Sequence, residues 1–119
     1  MIKGVHTMLY SSDADGLRAF LRDKLGLKAN DIGRGWLIFD LPEADLGCHP
    51  ADNSGEDGAL SGTHDISFYC DNIHQTVDEL KAKGVVFKGE IEDHGYGFVT
   101  HFQVPGDFYL QLYQPKYKK

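Results

Sequence analysis

Histidine, aspartate, glutamine and tyrosine residues recur at alternate positions of several strand-like segments of this 119-residue chain. Successive side chains of a strand point to opposite sides, so Asp65 and Tyr69 are expected to face away from the apolar Phe68 and Cys70. The segments that begin at His6, end at His49 and span 108–113 follow the same rule. Such a face is too polar for a core and too aromatic for an ordinary solvated surface. We therefore expect it to line a cleft, where imidazoles and carboxylates would hold a metal ion or move protons.

Aromatic residues predicted on this face suit the binding of a planar or apolar small molecule. They are Tyr10, Trp36, Tyr69, Tyr109 and Tyr113. Tyr96 lies in the loop 92–97, which is expected either to close over the cleft or to form an ordinary hairpin turn. His101 is a candidate general base facing the cleft; the alternative is a histidine satisfied by hydrogen bonds within the sheet.

The elements that must position these residues occur twice in the same order. Each copy has an alternating strand, a capped amphipathic helix closed by glycine, and three more strands. Ser12 and Gly26 bound the first helix, and Asn72 and Gly84 bound the second. A repeat of this size predicts two packed modules in one domain, residues 1–119. Module 1 is expected at about 1–50, a linker at about 51–62 and module 2 at about 63–115.

Composition excludes several classes of protein. A net charge of −6 argues against a nucleic-acid-binding surface, which needs clustered Lys and Arg. No apolar run approaches the roughly 18 residues of a membrane helix, and no secretory signal is evident, so we expect no membrane partner and a cytoplasmic location. Cys48 and Cys70 fall on predicted apolar faces, which indicates buried free thiols.

Three short motifs then carry a resemblance to a known family. The chain starts with His6-Thr-Met-Leu, has Phe68-Tyr-Cys-Asp-Asn-Ile before the second helix, and has Val104-Pro-Gly-Asp before the last strand. It resembles the glyoxalase, bleomycin-resistance and extradiol dioxygenase superfamily, also called vicinal oxygen chelate. The resemblance implies an α+β fold in which two paired βαβββ modules form a U-shaped, mostly antiparallel sheet around a central cleft. It also implies a homodimer, because family members commonly cover exposed sheet edges with a partner.

The resemblance implies a set of metal ligands as well. His6 matches the first-strand ligand, Asp65 stands where the family usually has His, and Gln111 stands where it usually has Glu. The fourth place falls on Gly47, which offers no ligand, but His49 lies two residues along on the same face. His6, His49 and Asp65 resemble a two-His-one-carboxylate site, with Gln111 as a weak fourth ligand. Such a site would take a divalent Fe, Mn, Ni, Co or Zn ion.

Three functions of different class follow. The first is a metal-dependent enzyme, a lyase, isomerase or dioxygenase, that acts on a small molecule with adjacent oxygens. The alternative is a metal-free protein of the bleomycin-resistance type that binds a drug or aromatic metabolite. An acidic chain with an aromatic cleft suits cationic ligands. The third is a non-catalytic subunit or sensor on the same scaffold.

Overall fold

The computed structural model describes residues 6–41, 43–48, 50–51 and 59–117. Its elements follow in chain order: α1 (Ala14–Asp23), β1 (Lys28–Asp31), β2 (Leu37–Asp40), β3 (Ser67–Tyr69), α2 (Ile73–Ala82), β4 (Phe87–Asp93), β5 (Gly97–Val104) and β6 (Phe108–Pro115). The expected α+β class is confirmed. No helix in these ranges is long and apolar enough to cross a membrane.

The second half of the chain forms a complete βαβββ unit. Its four strands are ordered β3-β6-β5-β4, with β3 parallel to β6 and the other pairs antiparallel. Gly106 lies in the tight turn between β5 and β6 with φ of +104°, a backbone conformation that glycine adopts at little cost. Both helices contribute side chains to the apolar core that covers one face of this sheet.

Both predicted helices form, and each begins at a capping side chain. Asn72 accepts a hydrogen bond from the Gln75 backbone N–H at 3.1 Å, as its spacing predicts. The first helix is capped by Asp13, which accepts from the Gly16 N–H at 3.0 Å, so the prediction of Ser12 was wrong by one residue. An aspartate carboxylate also suits the partial positive charge of the helix start better than a hydroxyl does.

The core lies between the two helices and the four-stranded sheet. Phe102 and Ile73 are fully buried there, and Leu17 and Leu21 of α1 belong to the same cluster. Phe20 of α1 stacks on Phe102, with ring centroids 6.2 Å apart. The first helix is therefore held by apolar contacts with the second half of the chain.

The first half forms fewer strands than predicted. Among the described residues of this half, only β1 and β2 pair, in antiparallel register, and neither residues 6–11 nor residues 43–48 are in a strand. A strand needs a neighbour for its backbone hydrogen bonds, and neither segment lies in a described sheet. Ser11 instead donates a side-chain hydrogen bond to the Pro105 carbonyl at 2.8 Å. The module boundaries stay a prediction, because residues 52–58 of the expected linker lie outside the described ranges.

The two cysteines differ. Cys70 is half-buried against the core, and burial raises the pKa of its thiol. Cys48 is exposed, so the prediction that it is buried was wrong. Its burial was inferred from strand alternation, and the segment around it is not a strand.

Candidate functional site

Two rows of side chains cross all four strands on the face of the sheet opposite the helices, which we call the open face. Residues paired across neighbouring strands share a face. One row is polar and consists of Ser67, Gln111, His101 and Lys88. The other consists of Tyr69, Tyr113, Val99 and Glu92. The alternation of β3 and β6 therefore points as the sequence predicted.

Hydrogen bonding orders the polar row. The Gln111 Nε2 donates to the Ser67 hydroxyl at 2.8 Å, which leaves the amide oxygen of Gln111 with no hydrogen bond to a described residue. His101 is half-buried beside Gln111. The Lys88 ammonium lies over the Tyr109 ring, 5.1 Å from its centroid. A ring on this face thus already binds a cation.

Three tyrosines at one end of the open face form a cluster that we call the tyrosine wall, namely Tyr96, Tyr113 and Tyr117. The ring centroids of Tyr96 and Tyr113 are 5.9 Å apart, and those of Tyr113 and Tyr117 are 6.4 Å apart. Gly97 has no room for a side chain, because the Tyr113 ring and the Gln114 carbonyl occupy that space. Val99 is only 2% exposed although it points to the open face. The wall therefore packs closely on the sheet.

Two carboxylates from the first half of the chain reach the tyrosines. The Tyr69 hydroxyl donates to Glu43 Oε2 at 2.9 Å, and the Tyr117 hydroxyl donates to Asp45 Oδ2 at 3.4 Å. Loss of water around the Tyr113 hydroxyl and the neighbouring Tyr117 raise the pKa of Tyr113 above its usual range, so it stays a neutral phenol. The site thus combines neutral aromatic rings with negative charge.

The proposed metal ligands are less well assembled. His6 and Asp65 are exposed and lie outside the strands, and His49 is not among the described residues. Within 6–41, 43–48, 50–51 and 59–117, no three His, Cys, Asp or Glu side chains are grouped so as to hold an ion. Because His49 is not described and Gln111 is not one of these residue types, the proposed ligand set stays a prediction.

The remaining aromatic residues are dispersed. Tyr10 is 88% exposed. Trp36 contacts α1, where the Arg18 guanidinium lies 4.7 Å from its ring centroid. Tyr96 lies in a hairpin turn closed by a hydrogen bond from the His94 N–H to the Gly97 carbonyl at 2.9 Å. Of the predicted aromatic set, Tyr96 and Tyr113 lie together in the wall, whereas Tyr10 and Trp36 do not join it.

Sequence reasoning missed two members of this site. Tyr117 was not among the aromatic residues predicted on this face, yet it continues the every-second-residue pattern of Tyr109, Gln111 and Tyr113. That alternation was the available signal. No sequence signal pointed to Glu43, because its contact partner Tyr69 lies 26 residues away in the chain.

Comparisons with known proteins agree on the fold. The solved structure of lactoylglutathione lyase from Agrobacterium tumefaciens is 18% identical, with a TM-score of 0.63 over 91% of this chain and 90% of that one. TnmS3, an antibiotic binding protein from Streptomyces sp. CB03234, is 18% identical, with a TM-score of 0.64 over 98% of this chain and 100% of that one. The fosfomycin resistance protein FosX from Listeria monocytogenes is 17% identical, with a TM-score of 0.57 over 100% and 96%.

At these identities the structures show a shared fold and not a shared activity. None of the curated protein sequences matches this chain significantly. The family model of the glyoxalase/bleomycin resistance protein/dioxygenase superfamily, however, matches residues 3–112. The match spans nearly the whole chain, and this chain belongs to that superfamily.

Proposed function

We propose that this protein binds a small aromatic molecule that carries a positive charge, without a metal, on the open face. The observation that carries the proposal is the tyrosine wall with Asp45 bonded to one of its hydroxyls. The faces of tyrosine rings attract cations, and a carboxylate at the edge of the wall also attracts a positive charge. The net charge of −6 adds a favourable long-range field.

The donor chemistry supports binding over metal catalysis. No three described His, Cys, Asp or Glu side chains are grouped so as to hold an ion, and Gln111 already bonds to Ser67 through its amide nitrogen. The antibiotic binding protein TnmS3 shares the fold across the full length of both chains, which agrees with this proposal without establishing it.

Calorimetric titration with benzyltrimethylammonium, on protein dialysed against a chelator, tests the proposal. We expect binding, and we expect Tyr113→Leu to weaken it about tenfold because the ring that meets the cation is lost. Tyr113→Phe keeps the ring and is expected to stay within about threefold of the original affinity. Tyr109→Leu is the matched control outside the wall. Phenylacetate, with the opposite charge, is expected not to bind; equal binding of the two compounds would contradict the proposal.

A second candidate is the metal-dependent enzyme, a lyase, isomerase or dioxygenase. The observation that favours it is the polar row, where His101 and the amide oxygen of Gln111 face the same space. In this proposal His6, His49, Asp65 and Gln111 hold a divalent ion and His101 acts as the base. Metal analysis of protein purified without chelator tests it. Stoichiometric metal that is lost in both His6→Ala and Asp65→Ala would favour this candidate over the first.

We also propose that the protein is a homodimer located in the cytoplasm. The first half exposes Met8, Tyr10, Trp36 and Leu46, which are large apolar or aromatic side chains. Exposed apolar surface of this kind is commonly covered by a partner. Light scattering of the purified protein is expected to give twice the mass of the chain, and Leu46→Glu is expected to shift it toward the monomer. Fractionation of the source cells tests the location.

A further inference from the structure

A groove on the helix side of the sheet, between α2 and β4, has no part in the site described above. Its volume is about 320 Å³. Ligand pockets for small molecules begin at about this size. We call it the bulge groove. Because it lies on the opposite side of the sheet from the open face, what it binds does not depend on the proposed function.

A defect in strand pairing borders the bulge groove. Lys88 pairs with His101 and Glu92 pairs with Val99, so Gly89, Glu90 and Ile91 stand opposite Thr100 alone. Gly89 has φ of +73°, which suits glycine at a bulge. All three bulged residues line the groove. Such bulges are common beside binding sites, because they turn side chains out of the regular ladder.

The floor of the bulge groove carries one hydroxyl among apolar groups. Val77, Phe87 and Ile91 supply apolar surface, and Thr100 lies among them at 3% exposure. The Thr100 hydroxyl forms no hydrogen bond with another described residue. No buried side-chain nitrogen or oxygen of the described residues lacks a partner, so the Thr100 oxygen must be reached from the groove, where a ligand or water can bond to it. The floor is therefore suited to an apolar body that also offers one hydrogen bond.

The rim carries charges of both signs. Asp78 and Lys81 of α2 and Glu90 of β4 line the groove together with His74. The side chains of Asp78, Lys81 and Glu90 form no hydrogen bond or ion pair with another described residue. A ligand with only an ammonium group would leave Lys81 unmatched, and one with only a carboxylate would approach two acidic residues.

We propose that the bulge groove binds a small zwitterion with an apolar body, of the class of the free apolar α-amino acids. The apolar side chain lies on Val77, Phe87 and Ile91. The ammonium group meets Asp78 and Glu90, the carboxylate meets Lys81, and the Thr100 hydroxyl bonds to the ligand. This arrangement gives a partner to Asp78, Lys81, Glu90 and the Thr100 hydroxyl.

Titration of the full chain with L-phenylalanine, followed by two-dimensional NMR of the backbone amides, tests the proposal. We expect amide shifts within 77–81, 89–91 and 100, and none in the tyrosine wall. 2-Phenylethylamine lacks the carboxylate and 3-phenylpropionate lacks the ammonium, and each is expected to bind at least about tenfold more weakly. Thr100→Val keeps the shape of the side chain and is expected to weaken binding about fivefold.

Matched variants separate binding from folding. Glu90→Gln is expected to weaken L-phenylalanine binding about threefold or more, whereas Glu79→Gln, the same change on α2 outside the groove, is expected to leave it unchanged. If the amides of the groove residues do not shift at about 10 mM L-phenylalanine, the proposal is overturned, because binding weaker than this would not be specific. Equal binding of either single-charge analogue would overturn it as well, as would unchanged affinity in the exposed variant Glu90→Gln.

Discussion

The two halves of this chain carry the same order of sequence signals, but only the second half forms all of the expected elements. Residues 67–115 form four paired strands and a helix, whereas the described residues of the first half, 6–41 and 43–48, form a helix and one hairpin. Helices form in both halves because their backbone hydrogen bonds lie within the segment itself. Strands form only where another strand supplies partners. The local sequence pattern is thus enough to predict a helix, whereas a strand also requires a neighbouring strand to pair with.

The largest expected difference between the two halves is the loss of stability when a core phenylalanine is removed. Phe102→Ala is expected to lower the free energy of unfolding by about 3–5 kcal/mol, because Phe102 is fully buried between Phe20 and Phe87. Phe39 of β2, in the first half, is half-buried against the same core. Phe39→Ala is expected to cost about half as much. Urea denaturation measures both losses, and equal losses would show that the first half is as tightly packed as the second.

Removal of the helix N-cap side chains is expected to destabilise the two halves equally. Asp13→Ala and Asn72→Ala each remove one hydrogen bond to a helix N-terminal N–H, and each is expected to cost about 1 kcal/mol. Ser12→Ala is the control, since its side chain bonds to no described residue, and it is expected to change stability by less than about 0.5 kcal/mol. A larger loss from Ser12→Ala than from Asp13→Ala would place the start of α1 one residue earlier.

The smallest effect concerns the two hairpin turns. Asp31 accepts from the Gly33 N–H and Asp93 accepts from the Gly95 N–H, so both turns use the same side-chain bond. Only Asp93 also forms an ion pair described in the structure, with Lys116 at 2.7 Å. That hydrogen-bonded ammonium, and then the Gly95 N–H, hold the pKa of Asp93 below its usual value.

The sign of the pH dependence follows from this shift. Because the folded-state pKa of Asp93 is lowered, its contribution to stability is present above the unfolded value of about 3.9 and is lost as pH falls through the folded value. Lys116→Gln is expected to raise the pKa of Asp93, whereas Lys88→Gln is expected to leave it unchanged. Carboxyl-carbon NMR between about pH 2 and 6 measures the shift. An unaltered pKa in Lys116→Gln would show that the ion pair is absent in solution.

Some of this molecule could be predicted from sequence because the signals are local. Apolar spacing gave both helices, and alternation gave the open-face positions of Gln111 and Tyr113. Strands at residues 6–11 and 45–48 were predicted from the same alternation but do not form, and the prediction for Cys48 failed with them. Alternation states which way a strand would face, and it says nothing about whether a partner strand is present.

The parts of the site that escaped prediction depend on distant contacts. The bonds from Tyr69 to Glu43 and from Tyr117 to Asp45 join the two halves of the chain. The bulge opposite Thr100 depends on the register of two strands, which the glycine at position 89 alone does not reveal. The proximity of His6, Asp65 and Gln111 stays a prediction, and so does the role of His49, which lies outside the described residues.

The central claim is that the tyrosine wall with its carboxylates is the ligand site. Two-dimensional NMR of the chelator-treated protein, titrated with benzyltrimethylammonium, tests it most directly. We expect the amides of Tyr96, Gly97, Tyr113 and Tyr117 to shift first, with those of residues 43–45. Shifts confined to His6, Asp65 and His101, appearing only after a divalent metal is added, would contradict the account and favour the metal-dependent enzyme.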